Sequence, residues 1–313
     1  MNNLDLFYQC ESNVTIIIFN RVHETKELLK SLALVKPKML FVISDGPRID
    51  SKLDDQKVNS CRSLVDELID WDCNVIKIYS ETNLGCMKRV VTGLDEVFSI
   101  CNDSIILEDD CIPSINFFKF CDWALKEFEF NENIGMVSGS NLVADLVDIE
   151  FRNGFSNYIS IWGWATWKRV WSKYDHHLTI MDIQNNSKNF FPNEFWKNLF
   201  WRELFKLSIY SSKIWDFRLQ YVFFYFKLFS IYPKYNLINN IGFGVDATHT
   251  SIKIPKYVNS NFPKSDIDIY DFSPCTQIIE SKERDSIYLR KIWNFSIYST
   301  LKLILGNLIR FVK

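Results

Sequence analysis

Three consecutive acids, Glu108-Asp109-Asp110, directly follow the apolar run Ile105-Ile106-Leu107. Carboxylates crowded at the end of a buried strand repel one another and lose hydration, and a bound cation relieves both costs. Their oxygen donors suit Mg²⁺ or Mn²⁺, ions that keep several waters and bind through one or two carboxylates plus substrate phosphates. The plain alternative is an acidic start for a helix beginning near Pro113, where the macrodipole favours negative charge. Asp45, in Ser44-Asp45-Gly46, tips the balance towards metal if it reaches the same edge. That segment also reads as an ordinary turn.

Other residues invite chemistry further along. Asp216 sits in Trp215-Asp216-Phe217-Arg218, an acid in greasy company. Such a carboxylate either finds a partner, with Arg218 and Arg202 the nearby choices, or has its pKa raised. His249 lies in Gly242-Phe-Gly-Val-Asp246-Ala-Thr-His249-Thr, where it reads as structural or as a phosphate or metal contact. Trp162, Trp164, Trp167 and Trp171 fall within ten residues. Trp164, Trp167 and Trp171 have the spacing of a helix face packed inward. Trp162 and Trp164 are also candidates for an aromatic platform under a sugar ring, whose apolar C–H face a flat indole matches.

The elements that must position these groups begin as an alternation. Val14–Phe19, Met39–Ser44, Asn74–Tyr79 and Ser104–Leu107 read as strands, and the segments between the first three and before the fourth carry apolar residues at helical spacing. Strand-helix alternation means a parallel sheet with helices on its faces, the doubly wound half in which ligands sit beyond the carboxyl ends of the strands. Asn20-Arg21, Asp45-Gly46, Asn83-Leu84-Gly85 and Glu108-Asp109-Asp110 then share one edge. A cation, a carboxylate, an amide beside a glycine and an acid triplet suit a nucleotide, its ribose and a metal-bound pyrophosphate.

Composition narrows the classes. The 313 residues are 47% hydrophobic, 24% charged and 16% aromatic, enough for a sizeable core. A net charge of −2 argues against life on a nucleic-acid backbone. GxxxxGK[ST], strand-linked GxGxxG and GxSxG are absent, which argues against Walker-type ATPases, dinucleotide dehydrogenases and serine hydrolases. The eight cysteines form no CxxC pair, so a structural zinc is not expected. No signal peptide and no transmembrane run are read, so the expectation is reduced thiols in a cytoplasm, with the inner face of the membrane as the one alternative address.

On these residues the chain resembles bacterial nucleotide-diphospho-sugar glycosyltransferases of the GT-A class and is distantly similar to N-acetylglucosaminyltransferase I. The resemblance rests on Phe19-Asn20-Arg21, Ser44-Asp45-Gly46, Asn83-Leu84-Gly85, Leu107-Glu108-Asp109-Asp110, Ile161 to Trp171, Trp215-Asp216 and Asn240 to Thr250. It implies an α/β GT-A fold: a Rossmann-like, mostly parallel sheet flanked by helices, with an aromatic-rich acceptor half and a C-terminal helix. Residues 1–255 would form the glycosyltransferase domain, 12–112 its nucleotide-sugar half and 113–255 its acceptor half, and 256–313 an extension. The implied activity is an inverting, hexosyltransferase-type transfer from a UDP-sugar, with UDP-N-acetylglucosamine preferred, to a glycan or lipid-linked acceptor, in a setting of surface polysaccharide assembly. Asp110 would hold Mn²⁺ or Mg²⁺, and Glu108 and Asp109 would face donor sugar and ribose. Arg21, Asp45, Asn83 and Arg89 would contact the nucleotide sugar, with Lys88 a further cation. Asp216 would be the general base, with Glu203 and Asp246 in reserve, because Phe217 stands where the eukaryotic relative has a second acid. Competing readings are a non-catalytic carbohydrate-binding scaffold and a sugar nucleotidylyltransferase; the latter lacks its glycine-rich first loop here.

The C-terminal stretch Arg290 to Lys313 reads as one helix with Trp293, Ile297, Leu301, Ile304, Leu308 and Phe311 at helical spacing and a basic complement of Lys291, Lys302, Arg310 and Lys313. Docking of that stripe onto the domain or a second subunit is the simpler expectation, and an anionic membrane surface the other.

Overall fold

The computed structural model describes residues 8–147, 150–151, 153–211, 213–243 and 274–312. Four β-branched or aliphatic runs become the strands β1 (Val14–Ile18), β2 (Met39–Ser44), β3 (Asn74–Tyr79) and β4 (Asp103–Glu108). Between them lie helices α1 (Val22–Val35), α2 (Lys52–Leu68) and α3 (Cys86–Ile100). β1 pairs in parallel with both β2 and β4, and β2 with β3, which is the arrangement the alternation predicts.

The connection from β3 to β4 reverses direction across the sheet, so α3 lies on the opposite face from α1 and α2 if crossovers keep their usual right hand. The reversal leaves a switch point between β1 and β4, where α/β folds open a crevice at the carboxyl ends.

Beyond β4 the chain makes the short β5 (Cys111–Pro113), then α4 (Ile115–Glu127), β6 (Ile134–Ser138), β7 (Asn153–Ser156) and β8 (Trp164–Trp167). After α5 (Lys168–Trp171), α6 (Ile180–Asn186), α7 (Phe195–Tyr210) and α8 (Asp216–Phe226) come β9 (Phe229–Pro233) and β10 (Ile238–Asn240). The eight-stranded sheet has the order β3-β2-β1-β4-β8-β6-β9-β7, while β10 pairs with β5 in a separate ribbon. β8 is antiparallel to β4 and β6, and β6 is parallel to β9, so the sheet is mixed but mostly parallel. It runs without a break across the 112/113 boundary.

Two expectations are corrected here. Trp164 and Trp167 belong to a central strand rather than a helix face, because β8 is hydrogen-bonded on both sides and buried throughout. Trp164 is only 1% exposed and stacks on Trp215, so it is core and cannot touch an acceptor. The C-terminal stretch is likewise two helices, α9 (Lys282–Lys291) and α10 (Ile297–Val312). The break falls at Asn294, whose φ of 53° is left-handed, and Ser296 then caps the next helix by accepting the Ser299 N–H at 3.0 Å.

A second aromatic cluster, including Tyr158, Trp201, Phe205 and Phe224, packs α6, α7, α8 and α9 together beside the sheet. All eight cysteines are free. Among the described residues no helix is long and apolar enough to cross a membrane.

Candidate active site

Parallel pairing of β1 to β4 delivers Arg21, Asp45, Asn83 and the acid triplet to one edge. Arg21, at the start of α1, and the triplet after β4 flank the switch point. Arg21 Nη1 donates to Asp110 Oδ2 at 2.6 Å, and its Nη2 lies 2.7 Å from Asp109 Oδ1. The second contact does not meet hydrogen-bond geometry, so the buried Asp109 Oδ1 is held by charge alone. Burial opposes the Arg21 cation, but Asp109 and Asp110 outweigh it and keep the guanidinium charged.

One guanidinium does not neutralise the triplet. Burial, and then the charges of Asp110 and Asp109, push the Glu108 carboxyl far above its usual range. Burial does the same to Asp109 against the pull of Arg21. The edge therefore holds more negative charge than it can stabilise, which is the condition a divalent cation relieves.

Asp216 joins this group from the far side of the sequence. It opens α8, where Trp215 is anchored by stacking on Trp164 and by the Tyr174 hydroxyl donating to its carbonyl at 3.1 Å. Asp216 adds to the charge that raises Glu108 and to that which raises the Cys86 thiol at the head of α3, so it lies within charge range of the triplet. Burial lifts its own carboxyl to about 6, against N–H groups of its own residue and Phe217 that bond the charged form. Neither nearby arginine pairs with it: Arg218 donates to the carbonyls of His176 and Ser208, and Arg202 pairs with Glu203. Glu108 and Asp216 are each half-buried, so both stay within reach of a ligand from solvent.

Asp45 has an organising role. Its Oδ1 accepts the N–H groups of Gly46 and Leu84 at 2.9 and 2.8 Å, and its Oδ2 accepts from Gly85 N–H and Asn83 Nδ2, both at 3.0 Å. A Cβ on Gly46 would stand 2.5 Å from the Thr82 backbone, so the loops after β2 and β3 are locked face to face. Asn20 and Arg48 both bond Asp54 and tie the β1 end to the same loop. Asn83 is half-buried there, with its amide engaged on Asp45 and the Gly46 carbonyl at 2.8 Å.

Arg89 is buried in α3, and its ion pair is with Glu96, two turns along the same helix, at 3.7 Å. The structure does not pair it with the acid triplet. Glu203 is engaged by Lys206, Arg202 and Asn307 and is unavailable as a base. Trp162 is half-buried and meets Phe243 edge-on, with ring centroids 5.9 Å apart. Asp246 and His249 lie outside the described residues.

Gly242 is a site residue for which local sequence gives no role. The β5–β10 pairing, Cys111 opposite Asn240, carries residues 241–243 across the triplet, and Ile241 N–H donates to the Asp110 carbonyl at 2.8 Å. A Cβ on Gly242 would stand 2.0 Å from Asp110 Oδ2 and 2.9 Å from Arg21 Nη1. Only glycine lets this loop lie against that ion pair. The only signal for it was its membership of the Gly-Phe-Gly string.

Compared by sequence, the chain matches no family profile and no curated protein. Among solved structures it is similar to a mannosyltransferase, PcManGT from Pyrobaculum calidifontis, described in complex with GDP-Man and Mn2+, at 11% identity and a TM-score of 0.37 over 72% of each chain. A 4-diphosphocytidyl-2C-methyl-D-erythritol synthase from Anaerococcus prevotii matches at 13% identity and 0.33, over 56% of this chain and 83% of its own. An inositol-1-phosphate CTP transferase from T. maritima matches at 13% and 0.32, over 53% and 74%. Likeness this remote assigns no chemistry, which is argued from the site's own residues.

Proposed function

We propose that the protein is a metal-dependent inverting glycosyltransferase of the GT-A kind. It would move a sugar from a nucleoside-diphosphate donor, first a UDP-sugar such as UDP-N-acetylglucosamine, to a hydroxyl of a glycan or lipid-linked acceptor. The observation that carries this reading is Asp216, a carboxyl at the head of α8 without an ion pair among the described residues, lifted to about 6 by burial and within charge range of the acid triplet.

The donor set fits a divalent cation: hard carboxylate oxygens, an Asp109 Oδ1 without a hydrogen bond, and acids raised by burial and then by one another's charge. Among the described residues no three such side chains stand in a ready coordination cluster. This suits an ion that takes one or two protein ligands and completes its shell from diphosphate and water. Asp110 is the residue to hold it, with Glu108 turned to the donor sugar; Asp109, expected at the ribose, is only 2% exposed and instead holds Arg21 from behind. When bound it supplies Lewis acidity at the leaving diphosphate.

The chain's own residues do the remainder. Asp216 takes the proton of the acceptor hydroxyl, and the freed oxygen electron pair forms the new bond to the anomeric carbon. The bond from that carbon to the diphosphate oxygen breaks on the opposite face, and its electron pair leaves with the nucleoside diphosphate. One displacement with one base inverts the configuration. A base with a pKa near 6 is ionised at neutral pH yet basic enough to share the proton in the transition state. Arg21 and the exposed Lys88 meet charge on the departing diphosphate. Asp45 and Asn83 set the loop on which the nucleotide rests, and Trp162 offers its open face to the acceptor.

Titration calorimetry of UDP into the protein, with Mn²⁺ and again with EDTA, tests the reading. Binding that needs the metal and disappears in Asp110→Ala is the expected result. No binding of UDP, GDP or other nucleoside diphosphates under any condition would leave the glycan-binding scaffold in its place.

A further inference from the structure

Helix α10 is attached to the protein by a face that carries the polar Thr300 and Asn307 beside Leu303, which packs against the second aromatic cluster. Asn307 is buried and its Nδ2 donates to both the Glu203 carbonyl and Glu203 Oε2 at 3.0 Å, on α7. Thr300 is buried on the same face two turns earlier, and its hydroxyl donates to the Ser296 carbonyl at 2.8 Å. Burial pushes the Glu203 carboxyl up, but Asn307, Lys206 and Arg202 outweigh it and hold the acid below its ordinary range. The helix is therefore fixed in rotation by a buried polar network, and its greasiest side is turned outward.

That outward side is continuous. At about 100° per residue, Ile297, Tyr298, Leu301, Leu305, Leu308 and Ile309 fall within roughly 120° of arc. All six are exposed, Tyr298 at 77%, Leu305 at 62% and Ile309 at 63%. A docked helix buries its apolar stripe and shows polar groups to water, whereas this helix docks through Leu303 and two polar residues and leaves its wider apolar arc in the open. The stripe expected to dock at Ile297, Leu301 and Leu308 instead faces away from the protein.

Charge selects the occupant. After Asp285 the sequence contains no further acid, while Arg290, Lys291, Lys302, Arg310 and Lys313 are all basic. Lys302 is exposed on α10 at the margin of the apolar arc, and Arg290 and Lys291 are exposed at the end of α9. A second copy pairing through this face would bring two such basic segments together around a two-fold axis. We infer that α10 lies in the interface of an anionic lipid bilayer, its apolar arc among the acyl chains and its bases at the headgroups. The inference is independent of the sugar-transfer reading and holds for the full chain whatever it catalyses.

The test is flotation of the full chain with phosphatidylcholine vesicles, with and without phosphatidylglycerol, beside sedimentation velocity without lipid. Expected is flotation with the anionic vesicles, about tenfold weaker on neutral ones and falling with salt. Leu305→Ser with Ile309→Ser should reduce it by about tenfold or more, with an unchanged melting temperature because both side chains are exposed. Lys302→Glu, which leaves the apolar arc intact, should weaken binding to anionic vesicles only. Absence of flotation overturns the inference. So does a concentration-dependent dimer that the Leu305→Ser, Ile309→Ser variant dissolves, since the face would then belong to a second copy.

Discussion

Replacing Asp216 with Asn removes a buried negative charge while keeping an oxygen to accept the N–H groups that Asp216 receives. Burial lifts this carboxyl from an ordinary 3.8 to about 6. The folded protein therefore binds the proton more tightly than the unfolded chain does, and stability falls as pH rises across that interval. Below about pH 4 the cost is nearly absent; above pH 6 it is complete, at most about 3 kcal/mol from two pKa units. Residual contact with water lowers it, so about 1–3 kcal/mol is the working range. Asp216→Asn should accordingly raise the melting temperature by about 1.5–4.5 °C at pH 8 and by little at pH 4. The same substitution should lower turnover by about 10²- to 10⁴-fold, the usual contribution of a general base, with nucleotide binding retained. Calorimetric melts at the two pH values, beside a donor-turnover assay, read both effects. A variant that melts lower at pH 8, or that gains equally at both pH values, would refute a desolvated carboxylate. Turnover within tenfold of the parent would refute the base.

Gly242→Ala places a methyl where Asp110 Oδ2 now lies, so the carboxylate must turn away; metal-dependent UDP affinity should fall by at least about tenfold, read by titration, while the melt moves little. Arg21→Gln leaves Asp109 and Asp110 without their cation, which should cost about 2–4 kcal/mol in EDTA. Melts repeated with Mn²⁺ should recover part of that loss if the ion occupies the same charge excess. Asp45→Ala leaves the N–H groups of Gly46, Leu84 and Gly85 without their acceptor, and about 2–4 kcal/mol of stability should go with nucleotide binding. A normal melt for that variant would mean the loop holds itself without Asp45.

The sequence alone determined the parallel half of the sheet and its loaded edge. Strand-forming runs alternating with helical periodicity leave few topologies, and in a parallel sheet every strand delivers its next residues to one edge. Arg21, Asp45, Asn83 and the acid triplet are therefore legible together in the sequence. Which of them face a ligand was not, because that depends on partners remote in the chain: Asp45 bonds residues 38 to 40 positions away, and Arg89 turns to Glu96. Trp164, Trp167 and Trp171 match a helix by spacing, yet hydrogen bonding to β4 and β6 makes Trp164 and Trp167 strand. Periodicity likewise finds the apolar stripe of the last helix but not its direction, which Asn307 and Glu203 fix through a bond spanning 104 residues. Only the tertiary structure could bring Asp216 within charge range of Glu108 and set Gly242 against Asp110. Those contacts join segments whose local patterns carry no record of each other, and their energy comes from burial and charge rather than from propensity.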